Sequence, residues 1–245
     1  MGILVALSAV SLLVACAASS PQSEPSAQAG AGTADPEPED RLREAVRNTL
    51  EAESFRLLSD ATIAAANGRQ LTDVVFVRGD AQGTQHSTAP GYDSVVDFIR
   101  VGDSVYVKTG ELYYHWIFPL ELLQFVVDRW VVFPADDPDH AGLFIIDGPE
   151  QPWQSDGDVN AAGTDTVDGT PVLVYETADG NRLSITAEGV PYLLRVEAAQ
   201  VTEEGEVQVV LTFSEIGTVS ATIAVPPGPI FDPLTDFPEE FRSHD

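Results

Sequence analysis

The chain has 245 residues, a single cysteine, and 39 acidic against 12 basic side chains, for a formal net charge of −27. Such a surface repels phosphate backbones and anionic headgroups, which argues against nucleic acid as a partner and against a basic patch as the means of holding a membrane. One cysteine allows no internal disulfide, so stability has to come from apolar burial, for which the length suffices in one sizeable domain or two small ones.

Residues 3–15 form an apolar run too short to span a bilayer and without a charged side chain. It ends Leu13-Val14-Ala15-Cys16, which resembles the lipobox of a bacterial lipoprotein signal. That resemblance implies that residues 1–15 are removed as a signal peptide and that Cys16 becomes the mature N-terminus, its sulfur carrying a diacylglyceryl group. Two or more acyl chains hold a protein stably at a bilayer where one does not.

Residues 17–40 are Ser, Pro, Ala, Gly, Gln and acid without a periodic apolar position. Such a segment cannot bury enough to offset its ordering entropy, and it reads as a disordered tether. A flexible chain of this length would hold a domain about 25 to 30 Å from the bilayer. The folded domain is expected over 41–228, with 229–245 as a loosely attached tail.

A short helix opens the domain. Pro38-Glu39-Asp40 places acid at the positive end of a helix dipole, and Leu42, Val46 and Leu50 recur at helical spacing. The period then changes to that of strands over 54–65, 71–79 and 94–101, punctuated by Asn67-Gly68, Gly79-Asp80 and Ala89-Pro90-Gly91. Gly102-Asp103 predicts a tight turn, with 104–108 as the returning strand.

The most aromatic stretch follows, from Tyr113 through Trp116 to Phe118. Pro119 suits the first turn of a helix, and Leu120, Leu122, Leu123, Phe125, Val126 and Val127 predict one that is apolar around much of its circumference. Residues 129–133 read as a strand. Residues 134–165 read as an acidic loop region with an apolar patch at 143–146 that suits a short helix.

Five more strands are expected at 170–177, 182–187, 191–199, 207–213 and 219–225, with turns at Asp179-Gly180-Asn181, Glu188-Gly189 and Glu203-Glu204-Gly205. In the last two, apolar positions alternate with polar or small ones. Pro226-Pro227-Gly228-Pro229 stops the sheet. The sum is an α+β fold: a single curved antiparallel β-sheet, a half-barrel of about ten strands, with two or three helices on its concave face.

The lipobox at Cys16, the 101–108 hairpin, the aromatic positions Trp116 and Trp130, the string Val167-Asp168-Gly169-Thr170-Pro171-Val172 and above all Gly189-Val190-Pro191-Tyr192-Leu193-Leu194-Arg195 resemble, in order and spacing, the LppX/LprG-type lipoproteins. These share a fold with the LolA lipoprotein carriers. The resemblance covers residues 42–226 and implies a half-barrel wrapped around helices, with an apolar cavity that accepts acyl chains of lipids or lipoglycans. It also implies a carrier or chaperone at the outer face of the cytoplasmic membrane. The cavity of that family has no fixed motif, so no lipid contact carries over residue by residue.

Strand alternation and helix face select Phe55, Leu57, Val75, Val95, Ile99, Leu122, Phe125, Val126, Leu183, Ile185, Leu194 and Val209 as the expected lining of such a cavity. The stretch 113–133 serves either as core or as a gate for an acyl chain. The alternative function is an envelope interaction module of the same fold with a filled core, binding a protein partner through its acidic loops.

Nothing in the sequence selects a catalytic centre or a cofactor. His86, His115, His140 and His244 are scattered without ligand spacing, and His115 between Tyr114 and Trp116 reads as a partly buried structural histidine. A nucleophile elbow, a Walker loop and a dinucleotide fingerprint are all missing. Asp156-Gly157-Asp158-Val159-Asn160 copies the start of an EF-hand loop but fails at Ala161, where the turn needs Gly, and at Val167, where the ion needs a bidentate Glu. No metal is expected there or at Asp136-Asp137-Pro138-Asp139.

Overall fold

The computed structural model describes residues 37–115, 117–136, 143, 153, 158–202 and 205–238. Cys16, residues 17–36 of the expected tether, Trp116, His140, His244, Asp156 and Gly157 lie outside these residues, whereas Pro38, Glu39 and Asp40, also counted in that tether, belong to the first helix.

Helix α1 (Pro38–Leu50) begins as the sequence predicts, with proline in the first turn and Glu39 and Asp40 beside it. Leu42, Ala45 and Thr49 form its buried face. Thr49 docks that face: its hydroxyl donates to the Ala45 carbonyl (2.9 Å) and accepts from the Leu193 N–H (2.9 Å). Asn48 Nδ2 donates to the Pro191 carbonyl (3.0 Å) and the Arg41 guanidinium to that of Ala187 (3.0 Å). Three side chains along the helix therefore clamp one end of the sheet.

Strands β1 (Ser54–Ile63), β2 (Gly68–Val77), β3 (Asp80–Ala89), β4 (Tyr92–Val101), β5 (Ser104–Thr109) and β6 (Trp130–Pro134) form one meander. Strands β7 (Val159–Val167), β8 (Thr170–Thr177), β9 (Arg182–Thr186), β10 (Leu193–Thr202) and β11 (Gly205–Ser214) form a second. The two join where β1 pairs with β11, and β12 (Ile230–Phe231) adds to the far side of β6. The result is one open sheet of 12 strands in the order β12-β6-β5-β4-β3-β2-β1-β11-β10-β9-β8-β7.

This is the expected single α+β sheet, with more strands than predicted and one parallel pair, β12 with β6. Strand β3 escapes the apolar pattern because Ala81 is its only buried residue. Strand β7, expected as acidic loop, is an edge strand exposed from Asn160 to Thr166. Residues 219–225, expected as a strand, pair with no strand among the described residues: the chain turns off the sheet over 215–218 after Glu215 in the left-handed region.

Between β5 and β6 the chain folds over the sheet in short pieces: α2 (Glu111–Tyr114), a 3₁₀ turn (Leu120–Leu122) and α3 (Leu123–Val126). The helix expected after Pro119 is present over 120–126 as a 3₁₀ turn running into α3, and it ends one residue early because Val127 leaves helical geometry at ψ 131°. His115 is exposed rather than partly buried.

β6 and β7 stand near opposite edges of the sheet. Leu143 and Trp153, both from the chain that connects them, are buried in the main core. The chain after β11 crosses the opposite face. The Gly217 N–H reaches the Ser54 carbonyl (2.7 Å), the Val219 N–H reaches Ser54 Oγ (3.2 Å), and Ala221 and Ile223 then lie beside Ile99 and Trp130. Residues 230–238 are part of the domain rather than a loose tail: after β12 comes α4 (Pro233–Asp236), and Phe231 and Phe237 are both buried.

Candidate functional site

Strands β1 to β11 each send apolar side chains to one face, β7 only through Val159, and these merge with α1 and the β5–β6 segment into one cluster. Its middle is built on the β1–β11 junction. Phe55 stacks on Phe76 with centroids 4.7 Å apart and leans on Phe213 at 6.0 Å, and Trp153 meets Phe213 edge-on at 5.8 Å.

A second aromatic group lies under the β5–β6 segment. Phe118 packs on Tyr114 (5.8 Å), Phe133 (6.2 Å) and Phe237 (5.5 Å), while Phe231 meets Phe237 at 4.9 Å and Phe125 at 6.5 Å. Tyr114 anchors the segment above it by donating its hydroxyl proton to the Val107 carbonyl (2.8 Å). Burial pushes the Tyr114 phenol well above its ordinary range, because the phenolate would lose its hydration.

Of the twelve residues expected to line a cavity, Phe55, Leu57, Leu122, Phe125, Val126, Leu183, Ile185 and Val209 belong to or pack against this cluster. The other four do not reach it. Val75 and Ile99 face the outer side with Arg56 and Asp73, Val95 is 47% exposed, and Leu194 packs on a small outer cluster of Val167, Val172 and Val174. Strand parity explains the first three: the inward neighbours are Val74, Phe76, Val96 and Phe98. For Leu194 the cause is a register shift between Leu193 and Arg195, which sends Leu193 and Val196 inward.

Sequence reasoning did not place Trp153, Phe231 or Phe237 in this cluster. Trp153 stands alone among polar residues, and both phenylalanines follow a proline run that reads as the end of the sheet. The available signal was the aromatic content itself, since unpartnered large rings in a charged tail are costly to leave in water.

The outer face carries charge in pairs. Arg56 grips Asp73 through Nε (2.8 Å) and Nη2 (2.5 Å) and reaches Glu215 (3.4 Å), while Arg69 makes the same two-point contact with Asp60 (2.9 and 2.7 Å). The Arg69 contact holds the Asp60 carboxyl below its usual range, and Asp73 and Glu215 raise Arg56 further still. Two grooves are lined by described residues. One, of about 550 Å³, lies on the outer face under Ala221 and Ile223; the other, of about 360 Å³, lies at the rim around Lys108, Asp93, Asp97, Glu111 and Asp128. Neither is lined by Phe231 or Phe237.

No group of three or more His, Cys, Asp or Glu suited to a metal is present among the described residues. Asn160, part of the EF-hand-like string, sits in the β7 ladder opposite Glu176. No helix among the described residues is long and apolar enough to cross a membrane.

No protein-family model matches the chain, and no curated protein does. Among solved structures, LprF from Mycobacterium bovis aligns over 78% of this chain and 97% of its own at 16% identity, with a TM-score of 0.50. The chain has the fold of LprF. The Mycobacterium tuberculosis lipoprotein LppX aligns over 78% of this chain and 100% of its own at 16% identity and TM-score 0.49. An uncharacterized conserved protein from Thermus thermophilus covers 79% and 98% at 11% identity and TM-score 0.38. The LprF-like fold is the one that the resemblance to LppX/LprG-type lipoproteins implies.

Proposed function

We propose that this protein is a lipid-anchored, non-enzymatic lipoprotein that takes acyl chains of lipids or lipoglycans between its sheet and the short helices above it. Cys16 carries the anchor, and the domain works at the outer face of the cytoplasmic membrane in carriage or transfer within the envelope. The observation that supports this reading best is the main apolar cluster on the concave face. It runs from α1 to β6 and is roofed on one side only by one-turn helices whose Leu122, Leu123 and Val126 are buried without polar partners to break.

Between its two ties to the sheet, the Tyr114 hydroxyl on the Val107 carbonyl and the Asp128 N–H on that of Thr109 (2.9 Å), this roof can shift without breaking a side-chain hydrogen bond of Leu122, Leu123 or Val126. Each methylene that enters contributes about 0.8 kcal/mol. Micromolar binding needs about 8 kcal/mol net, so a partly inserted chain suffices after ordering costs. Replacing Leu122 and Val126 together by Trp fills the roofed space and is expected to abolish lipid retention. A double variant that still unfolds cooperatively and retains lipid like the parent contradicts the assignment.

A second reading has one specific observation in its favour. Leu143, Trp153, Phe231 and Phe237 fill the concave cluster from segments outside the main meanders. A filled core leaves the acidic loops as the working surface, with a protein partner in the envelope. That partner should be captured in a salt-sensitive way, and capture that is indifferent to charge reversal across 134–158 counts against it.

A further inference from the structure

The chain after β11 takes an unusual route. It leaves the junction strand, runs along the outer face, rounds the β6 edge and enters the concave side. Among the described residues, 220–229 make no hydrogen bond to the sheet, and three of them are proline. The edge pairing that follows is two residues long, Ile230 opposite Trp130 and Phe231 opposite Val131.

Beyond it, residues 232–236 satisfy one another. Asp232 Oδ1 accepts from the Leu234 N–H (2.9 Å), the Asp232 carbonyl from the Thr235 N–H (3.1 Å), and Asp236 Oδ2 from the Asp232 N–H (2.9 Å). These three bonds are internal to the turn and travel with it. What it delivers is two rings: Phe231 and Phe237, seated against Phe118 and Phe125.

We propose that residues 230–238 are a displaceable plug, in which Phe231 and Phe237 hold the aromatic end of the concave cluster in place of a ligand's acyl chain and leave it when a chain enters. The proposal rests on the lipid-binding reading above. Ring and acyl chain compete for the same apolar contacts. The two ring burials are offset by the entropy of ordering the long unpaired strap, so the balance between closed and open forms is small enough for a ligand to tip. The site thereby gains a closed resting form that keeps its apolar wall out of water.

The test uses the chain from residue 17 to its end, every described residue included, and phosphatidylcholine vesicles carrying a pyrene-labelled acyl chain. A Trp130→Cys/Ile230→Cys pair, placed at partners in the β12–β6 register, ties the plug to the sheet when oxidised and frees it when reduced. Oxidation is expected to lower pyrene-lipid uptake on the order of tenfold, in proportion to the loss of the open form. Phe231→Ala/Phe237→Ala should raise uptake above the parent. Hydrogen exchange of the parent provides a reading that needs no variant: the amides of 230–232 and 234–236 should lose protection on lipid addition while β10 and β11 keep theirs. Equal uptake in oxidised and reduced forms, or unchanged protection of those plug amides with lipid bound, overturns the plug and leaves lipid binding standing. Absence of uptake in every form, reduced and alanine variants included, overturns both.

Discussion

Trp153 meets Phe213 edge to face with ring centroids 5.8 Å apart, although one belongs to the connection that returns from β6 to β7 and the other to β11 at the middle of the sheet. This contact seats Trp153 at the junction of the two meanders, and Trp153 itself is only 5% exposed. Trp153→Ala is expected to cost about 3–5 kcal/mol, the usual range for a large aromatic removed from a core. Trp153→Phe should cost less. Denaturant unfolding followed by far-UV circular dichroism measures both, and a neutral Trp153→Ala would contradict the burial of this ring in the core.

Gly83 sits where Phe98 from β4 passes over β3. A Cβ there would stand 2.5 Å from the Asp73 carbonyl oxygen and 2.7 Å from Phe98 Cζ, and the oxygen belongs to a paired strand that cannot retreat. Gly83→Ala should therefore destabilise by about 1–3 kcal/mol through overpacking. The comparison is Gly110→Ala, where nothing lies within 4 Å. Equal melting temperatures for the two variants would contradict the close approach.

Acid stability should depend on Asp60. Arg69 holds its carboxyl below the usual range, so the folded state binds that proton more weakly than the unfolded one. The stabilisation is present above the unfolded value of 3.8 and is lost as pH falls through the folded value. Asp60→Asn should lower stability at neutral pH and flatten its fall on acidification. Both groups are largely exposed, so the effect is small and shrinks with salt.

At the alkaline end Tyr114 dominates. Burial raises its phenol above the ordinary 10.0, so the stabilisation is full below pH 10 and declines as pH rises toward the folded value. Tyr114→Phe should cost about 0.5–1.5 kcal/mol at neutral pH by removing the bond to Val107. It should also weaken the alkaline dependence, leaving the part carried by Tyr175, whose phenol burial likewise raises. A variant with unchanged alkaline unfolding would mean that other groups govern that limb.

Much of the fold is legible where one face is apolar and the other is not. Gly102-Asp103 marks the β4–β5 hairpin, and the alternation of Val207, Val209, Leu211 and Phe213 places β11 with its inward face correct. Strand β3 has no such signal, because Gly83 leaves its inward position to the Phe98 ring. Strand β7 is an edge without an apolar face. Residues 219–225 show the opposite failure: they alternate like a strand, yet follow Glu215 in the left-handed region (φ 53°), so they lie over the sheet instead of pairing with it.

The candidate site was legible only in half. Periodicity identifies Leu57, Leu183 and Ile185 as inward, but parity in β2 and β4 cannot be fixed without knowing which partner each strand meets, and Val75, Val95 and Ile99 fell on the wrong side of that choice for a concave lining. The contributions of Trp153, Phe231 and Phe237 depend on long-range packing that no local pattern encodes.

The most direct test of acyl-chain binding is native mass spectrometry of the chain from residue 17 onward, secreted from a host with a related envelope, followed by organic extraction. A stoichiometric acyl-lipid adduct that disappears in the Leu122→Trp/Val126→Trp variant is the result predicted. A bare, folded protein that also takes up no lipid when vesicles are offered would contradict it, and the filled core with its acidic loops would stand in its place.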